Sequence, residues 1–311
     1  MNLPFTLQQD PATKRYILRF NASLYKESNC LRKVYYRAVE GLTQEGKDFK
    51  MEYGTAFHKA LRLRYDGGDL QAQCKVALDH YMSVDCGEDW RSSAHLLNCI
   101  TQYDIAYKAD MVQPLTLPDG TRALEITFSI PFYRNKWIEV LLCGTIDMIG
   151  RYLGQVVIVD HKTTSLSQAD SYLASYRTSP QLMVYELACG IILPNVVQGS
   201  VINGIFLSKT NKNTFKRSEV ISFSDSQKRR FEIGLRGRIA LIADNLAKHI
   251  DNSATQESLD ELLNCNYTCC EETLGQCSFV GLCACDSEAD ATSLKSLNFV
   301  NRIYDPLTFQ A

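Results

Sequence analysis

Three residues in the segment CGTIDMIGRYLGQVVIVDHKTT, positions 143–164, have the types and spacing for metal-assisted hydrolysis: Asp147, Asp160 and Lys162. The flanks, 141–149 and 156–160, are rich in strand formers, and Gly150 and Gly154 bracket a turn. The segment therefore reads as a β-hairpin. A turn centred between Leu153 and Gly154 sets Asp147 directly opposite Asp160, with Cβ atoms roughly 5 Å apart on one face. Lys162 lies two residues beyond Asp160 and projects to that same face. Two carboxylates this close repel unless a positive group sits between them. A divalent metal with an ammonium beside it meets that need, and phosphodiester hydrolysis uses the same set. The rival reading is a structural salt bridge.

Several elements must position this trio. Helices are expected at 23–41, from Tyr53 to the Gly67-Gly68 pair, and at 70–82, 92–111, 169–189 and 226–250. Strands are expected at 123–133, 138–149, 155–162, 201–209 and 215–223, with a linker at 251–258. This pattern predicts an α/β fold: a mixed central sheet flanked by helices, opened by a helical lobe (1–112), continued by a core (113–250) and closed by a cysteine-rich segment and tail (251–311). If a turn at 133–136 precedes the hairpin, Glu125 falls opposite Thr145, on the face of Asp147. Its rival role is a solvated edge carboxylate.

Hard oxygen ligands from Asp147 and Asp160 suit Mg²⁺ or Mn²⁺, and an imidazole from His58 favours Mn²⁺ slightly. Lys162 is placed to orient a water or to offset charge on a phosphate. Gln181 and Tyr185 share a helix face at i, i+4. They suit either packing or contact with a nucleotide. His80, His95 and His249 belong to no visible constellation.

Four motifs together resemble the PD-(D/E)xK nuclease superfamily in its RecB-like branch: Tyr53-Gly54-Thr55-Ala56-Phe57-His58, Gly144-Thr145-Ile146-Asp147, Asp160-His161-Lys162-Thr163 and Gln181-Leu182-Met183-Val184-Tyr185. The resemblance implies a restriction-endonuclease-like fold and cleavage of DNA, with an exonuclease favoured over an endonuclease. It implies Lys162, Asp147, Asp160, Gln181 and Tyr185 as the catalytic set. It also implies metal ligation by His58, Asp147, Asp160 and the main-chain carbonyl of His161. DNA ends or single strands are the implied substrate, and a recombination or CRISPR adaptation complex the implied protein partner. Rival functions are a non-catalytic DNA-binding scaffold and a restriction-type endonuclease.

The chain holds twelve cysteines, six of them between Cys265 and Cys285. The first residues show no secretory signal and no apolar run is long enough to span a membrane, so a cytoplasmic address is expected. There, thiols and metal ligands are favoured over disulfides. Cys30, with Cys270-x6-Cys277-x5-Cys283, resembles the one-plus-three cysteine pattern of CRISPR-associated and AddB-type iron–sulfur exonucleases. That resemblance implies a structural [4Fe–4S] cluster on these four thiolates, with Zn²⁺ as the alternative. Cys265, Cys269 and Cys285 compete for the same roles. Cys74, Cys86, Cys99, Cys143 and Cys189 read as ordinary buried thiols.

A net charge of −2 excludes a protein that coats nucleic acid by bulk charge. Any DNA-binding surface must be a local basic strip. The candidates are Lys209, Lys212, Lys216 and Arg217 on one hairpin, Lys228–Arg230 on the next helix, and Arg32, Lys33 and Arg37 near Cys30. Tyr35, Tyr36 and Tyr53 interleave with the amino-terminal cations, a pairing that suits single strands.

Overall fold

Runs of Val and Ile in the segments 155–164 and 199–206 give strands buried on both faces, as a parallel pair covered by helices requires. The computed structural model describes residues 7–44, 48–84, 87, 89–194, 196–272, 275–302 and 304–306. The main strands are β1 (Tyr16–Phe20), β2 (Leu124–Arg134), β3 (Ile138–Tyr152), β4 (Gln155–Thr164), β5 (Gly199–Phe206) and β6 (Thr214–Arg217). Their order is β1-β3-β4-β5-β6, and β2 and the short strand Gln113–Pro114 also pair with β3. β1 is parallel to β3 and β4 to β5, while β3–β4 and β5–β6 are antiparallel. The sheet is mixed, as expected. The chain divides into two compact units that interleave in sequence.

One unit comprises Lys47–Ile126 and Thr145–Asp225. Its helices α1 (Phe49–Tyr65), α2 (Leu70–Tyr81) and α3 (Ser93–Ala106) each begin at a side-chain cap: Asp48, Asp69 and Ser92. They bury Tyr53, Phe57, Leu61, Leu96 and Tyr103 against Met148, Val157, Val159, Val201 and Ile205. The opposite face of the sheet packs Ile202 and Phe206 against Leu173 and Leu182. Leu182 belongs to α4 (Pro180–Ile192).

The other unit comprises Met1–Gly46, Thr127–Gly144 and Ser226–Ala311. Most of the long helix α5 (Asp225–Asp251) lies here, and Asp244 accepts hydrogen bonds from Tyr133 Oη (2.8 Å) and Asn135 Nδ2 (2.9 Å). Among the described residues, no helix is long and apolar enough to cross a membrane.

Several elements differ from expectation. The helix expected at 23–41 is broken into Ala22–Glu27, Leu31–Val34 and a π-helical turn Tyr35–Val39. Ser28 closes the first piece through two bonds to the Tyr25 carbonyl, and Cys30 is extended. The helix expected at 169–189 breaks before Pro180, because a residue preceding proline is driven out of the helical region. Ser179 is accordingly extended, and α4 starts with Pro180 in its first turn. The expected linker at 251–258 gives way to a helix, Gln256–Leu262, capped by Thr255. The helix expected at 92–111 stops at Ala106, and the strand expected at 215–223 stops at Arg217. Cys99, Cys143 and Cys189 are buried, Cys74 is only half-buried, and Cys86 lies outside the described residues.

Gly150 is needed for close approach. It pairs with Pro114, and a Cβ there would sit 2.7 Å from the Gln113 carbonyl oxygen. That contact is backbone, so the short strand would have to move. Gly150→Ala is expected to destabilise the fold by about 1–3 kcal/mol, read as a lowered midpoint in thermal unfolding; an unchanged midpoint would refute the close packing.

Candidate active site

The β3–β4 hairpin turns through Leu153 and Gly154, both at positive φ (50° and 81°), the signature of a two-residue type I′ turn. This turn fixes the register: Tyr152 pairs with Gln155 and Met148 with Val159. The next positions are Asp147 and Asp160, so the expected register holds. The regular ladder ends there, however, at Met148–Val159. Just beyond it the His161 N–H donates to Asp147 Oδ2 at 2.7 Å. A ladder rung is thereby replaced by a carboxylate bound to the neighbouring strand.

Each acid has a dedicated set of partners. His58, from α1, brings Nδ1 to 3.6 Å from Asp147 Oδ2. Lys162 Nζ lies 2.7 Å from Asp160 Oδ2. Gln181 Nε2, from α4, donates to Asp160 Oδ1 (3.2 Å) and to Tyr185 Oη (2.9 Å). The helix face carrying Gln181 and Tyr185 is thus turned onto an acid. Asp160 is 1% exposed, and its Oδ2 faces a cation, the Lys162 ammonium. A buried carboxylate oxygen already held against positive charge suits a cation ligand.

Charge sorts these groups. Burial disfavours the Asp147 carboxylate, but His58 and Lys162 outweigh it and hold Asp147 far below the usual carboxylate range. At Asp160 burial wins over Lys162, and the pKa is raised. Burial would also lower Lys162, but Asp160 and Asp147 raise it and keep the ammonium charged. His58 is likewise raised, since Asp147 overcomes its burial. Burial drops His161 to about 3, so its ring is neutral.

Glu125 lies beside this group, half-buried. It has a positive φ of 50°, unusual for a non-glycine residue inside a strand and typical of a bulge that re-aims a side chain. Burial and then the Asp147 carboxylate push its pKa up to about 7.

Sequence reasoning missed the support beneath His161. Asn203, in β5, brings Nδ2 to 2.9 Å from His161 Nδ1 and also donates to Tyr103 Oη at 2.8 Å. The Tyr65 ring stacks on the imidazole with centroids 5.7 Å apart. Tyr65 donates to Asp110 Oδ2 at 2.9 Å, and Asp110 pairs with the buried Arg217 at 2.6 Å. A lone Asn within the apolar run VINGIF was the available signal.

With this geometry established, the sequence was compared with known proteins. Residues 23–284 match the PD-(D/E)XK nuclease superfamily. The chain belongs to that superfamily. No curated protein gives a match. Among solved structures, a candidate exonuclease from Eubacterium rectale is 11% identical, with a TM-score of 0.42, over 94% of this chain and 92% of its own. The protein SSO0001 is 12% identical, with a TM-score of 0.28, over 70% of this chain and 84% of its own. Neither score is high enough for the likeness to carry an argument.

PD-(D/E)XK nucleases generally use Mg²⁺ or Mn²⁺. Among the described residues no three His, Cys, Asp or Glu side chains form a ready-made metal cage. The donors still fit a hard cation, because two neighbouring carboxylates, one balanced by a lysine, leave coordination to be completed by main chain, water and substrate.

The thiols fall within the other unit of this superfamily member. The Asn266 N–H donates to Cys30 Sγ at 3.4 Å, and the Cys277 N–H donates to the Cys270 carbonyl at 2.9 Å. Burial raises Cys270, as do the nearby thiols of Cys277, Cys30, Cys265 and Cys269. Cys283 donates to Cys265, which falls to about 6, while Cys283 rises. The four nominated cysteines therefore have Cys265 as a close fifth. In kind, such a set suits a thiolate-bound group.

The expected basic–aromatic strand-binding face does not form. Arg32 is buried, bonded to the carbonyls of Leu263 (2.9 Å) and Leu259 (3.1 Å). Tyr35, Tyr36 and Tyr53 are all buried. Arg217 is spent on Asp110, and Lys216 pairs with Asp170 at 2.5 Å.

A raised carboxyl pKa means that the ionised form costs stability as pH climbs from the ordinary glutamate range through about 7. Glu125→Gln removes that cost. In metal-free buffer it is expected to raise the unfolding midpoint more at pH 8 than at pH 5, and equal shifts would refute the placement beside Asp147.

Proposed function

We propose that the chain is a divalent-metal-dependent DNA exonuclease acting in end processing, recombination or repair in the cytoplasm. The observation that carries this reading is the paired acids at the end of the β3–β4 ladder, one tied to His161 and the other to Lys162 and Gln181. Asp147, Asp160, His58 and the His161 carbonyl would hold Mg²⁺ or Mn²⁺. When bound, the ion polarises the scissile phosphate and acidifies a water.

The chain's own groups supply the remainder. The His161 N–H fixes one carboxylate oxygen of Asp147. Gln181, braced by Tyr185, fixes one of Asp160, so both serve as positioning residues. Lys162 stays charged and offsets negative charge as it grows on the phosphate. His58, whose affinity for a proton is raised by Asp147, would offer its imidazole to the ion in the neutral form. DNA as substrate, and attack from an end, are supported by the motif resemblance to the RecB-like branch.

We assign Cys30, Cys270, Cys277 and Cys283 to a structural [4Fe–4S] cluster, with Zn²⁺ as the alternative and Cys265, Cys269 and Cys285 as competing ligands. The one-plus-three spacing supports the assignment, as do the neighbouring thiols that shift Cys270 and Cys283, although the described thiols form no ready-made cage by themselves.

Lys162→Ala is expected to reduce Mn²⁺-dependent cleavage of end-labelled DNA by about 10²–10³-fold, with an unchanged circular dichroism spectrum; full activity would remove the mechanism. Purified anaerobically, the chain should be coloured and contain iron and sulfide, and Cys277→Ser should bleach it. A colourless protein holding zinc would overturn the cluster and leave the nuclease reading standing.

A further inference from the structure

Within the unit that carries the acids, a cavity of about 740 Å³ opens where β4 and β5 end. In open α/β sheets, the carboxyl ends of parallel strands are the usual place for a ligand, and this volume falls in the range of ligand pockets. The last rung of the parallel pair is Thr164–Phe206, and Phe206, Leu207 and Ser208 line the cavity floor. Ser165, on its wall, is three residues beyond Lys162. At roughly 3.3 Å per residue this is about 10 Å along the strand. That distance is enough to separate a neighbouring phosphate of the same strand from the scissile one.

The wall is basic, in a chain whose net charge is −2. Lys50, Arg91, Lys209 and Lys212 line it, with Asp89 as the one carboxylate among the lining residues. Asp89 is already taken by Arg91, at 2.9 and 3.0 Å. Among the described residues, Lys50, Lys209 and Lys212 take part in no ion pair. Their neighbours on the β5–β6 hairpin differ, since Lys216 and Arg217 both have acidic partners. Of the cations that line the cavity, Arg91 is paired and the three lysines are not. Hydroxyls of Ser165, Ser167 and Thr214 add neutral donors. The Trp90 ring carries Arg91 over it at 4.4 Å and meets His95 at 4.9 Å, so base stacking is not its role.

We propose that this cavity is a phosphate-binding subsite for the substrate DNA strand, with Lys50, Lys209 and Lys212 taking phosphates displaced from the scissile one. The proposal rests on the nuclease reading and extends it: the strand leaves Lys162 toward this pocket and is held by its backbone, independently of base sequence. An internal phosphate and a terminal one present the same chemistry to three ammonium groups.

The test measures binding of fluorescent single-stranded DNA across a salt series with Mn²⁺ present. The full chain carries Lys162→Ala throughout, so that cleavage is too slow to deplete the DNA during the measurement. Adding Lys50→Ala, Lys209→Ala and Lys212→Ala together should weaken binding about tenfold or more at moderate salt. It should also lower the slope of log affinity against log salt by about 2. The same three positions changed to Arg should restore both. The pair Lys75→Ala and Lys108→Ala, outside the cavity, controls for bulk charge and should change neither. Oligonucleotides with 5′-phosphate and 5′-hydroxyl ends, and a circular strand, separate the sources: loss on all three assigns internal phosphates, and loss confined to the phosphorylated end assigns the terminus. An unchanged slope in the triple variant, or an equal loss in the control pair, overturns the subsite. Failure of the nuclease reading is seen separately, as absence of metal-dependent cleavage by the chain without Lys162→Ala.

Discussion

Everything at the candidate site follows from two carboxylates, Asp160 buried and Asp147 half-buried, set where a β-ladder stops. In a continuous hairpin, backbone groups satisfy each other and the side chains only decorate the faces. Here Asp147 takes over an N–H that a continuing ladder would occupy, and Asp160 is almost wholly removed from water. Two negative charges so placed are tolerable only with compensation, because burial raises the cost of each. The fold supplies it from three directions: α1 through His58, β4 through Lys162 and α4 through Gln181. Helices on both faces of the sheet are thus required by the charge, beyond their part in the hydrophobic core.

The compensation is unequal, and that inequality separates the two acids. Asp147 is firmly ionised and Asp160 is pushed toward its neutral form, with Glu125 pushed the same way close by. A site with this distribution is short of positive charge. Beneath it, the chain from His161 through Asn203 and Tyr103, together with Tyr65, Asp110 and Arg217, is closed by side chains from five elements. Such a network holds the His161 peptide in place from below, and the Asp147 carboxylate depends on that peptide.

The legible parts were those fixed by local chemistry. The hairpin register could be read because a two-residue turn and unbroken strand formers leave one way to pair. The pairing of Gln181 with Tyr185 was legible through their i, i+4 spacing, although the acid that Gln181 meets was not. What escaped was set by distant partners. Arg217 looked like a phosphate ligand until Asp110, 107 residues away, was brought against it. Arg32 was misread for the same reason, since its acceptors are carbonyls more than two hundred residues on. The break at Pro180 was local and could have been read from the sequence; the apolar spacing of the region concealed it.

The Leu153–Gly154 turn has one more consequence, for how such a chain tolerates change in length. Most connections between strands absorb an added or lost residue at little cost. This one is less forgiving, because side chains alternate and a slip by one on either strand would turn its acid into the oily layer and bring Met148 or Val159 up in its place. An added residue there must be taken up by a bulge in the loop if the acids are to keep their face.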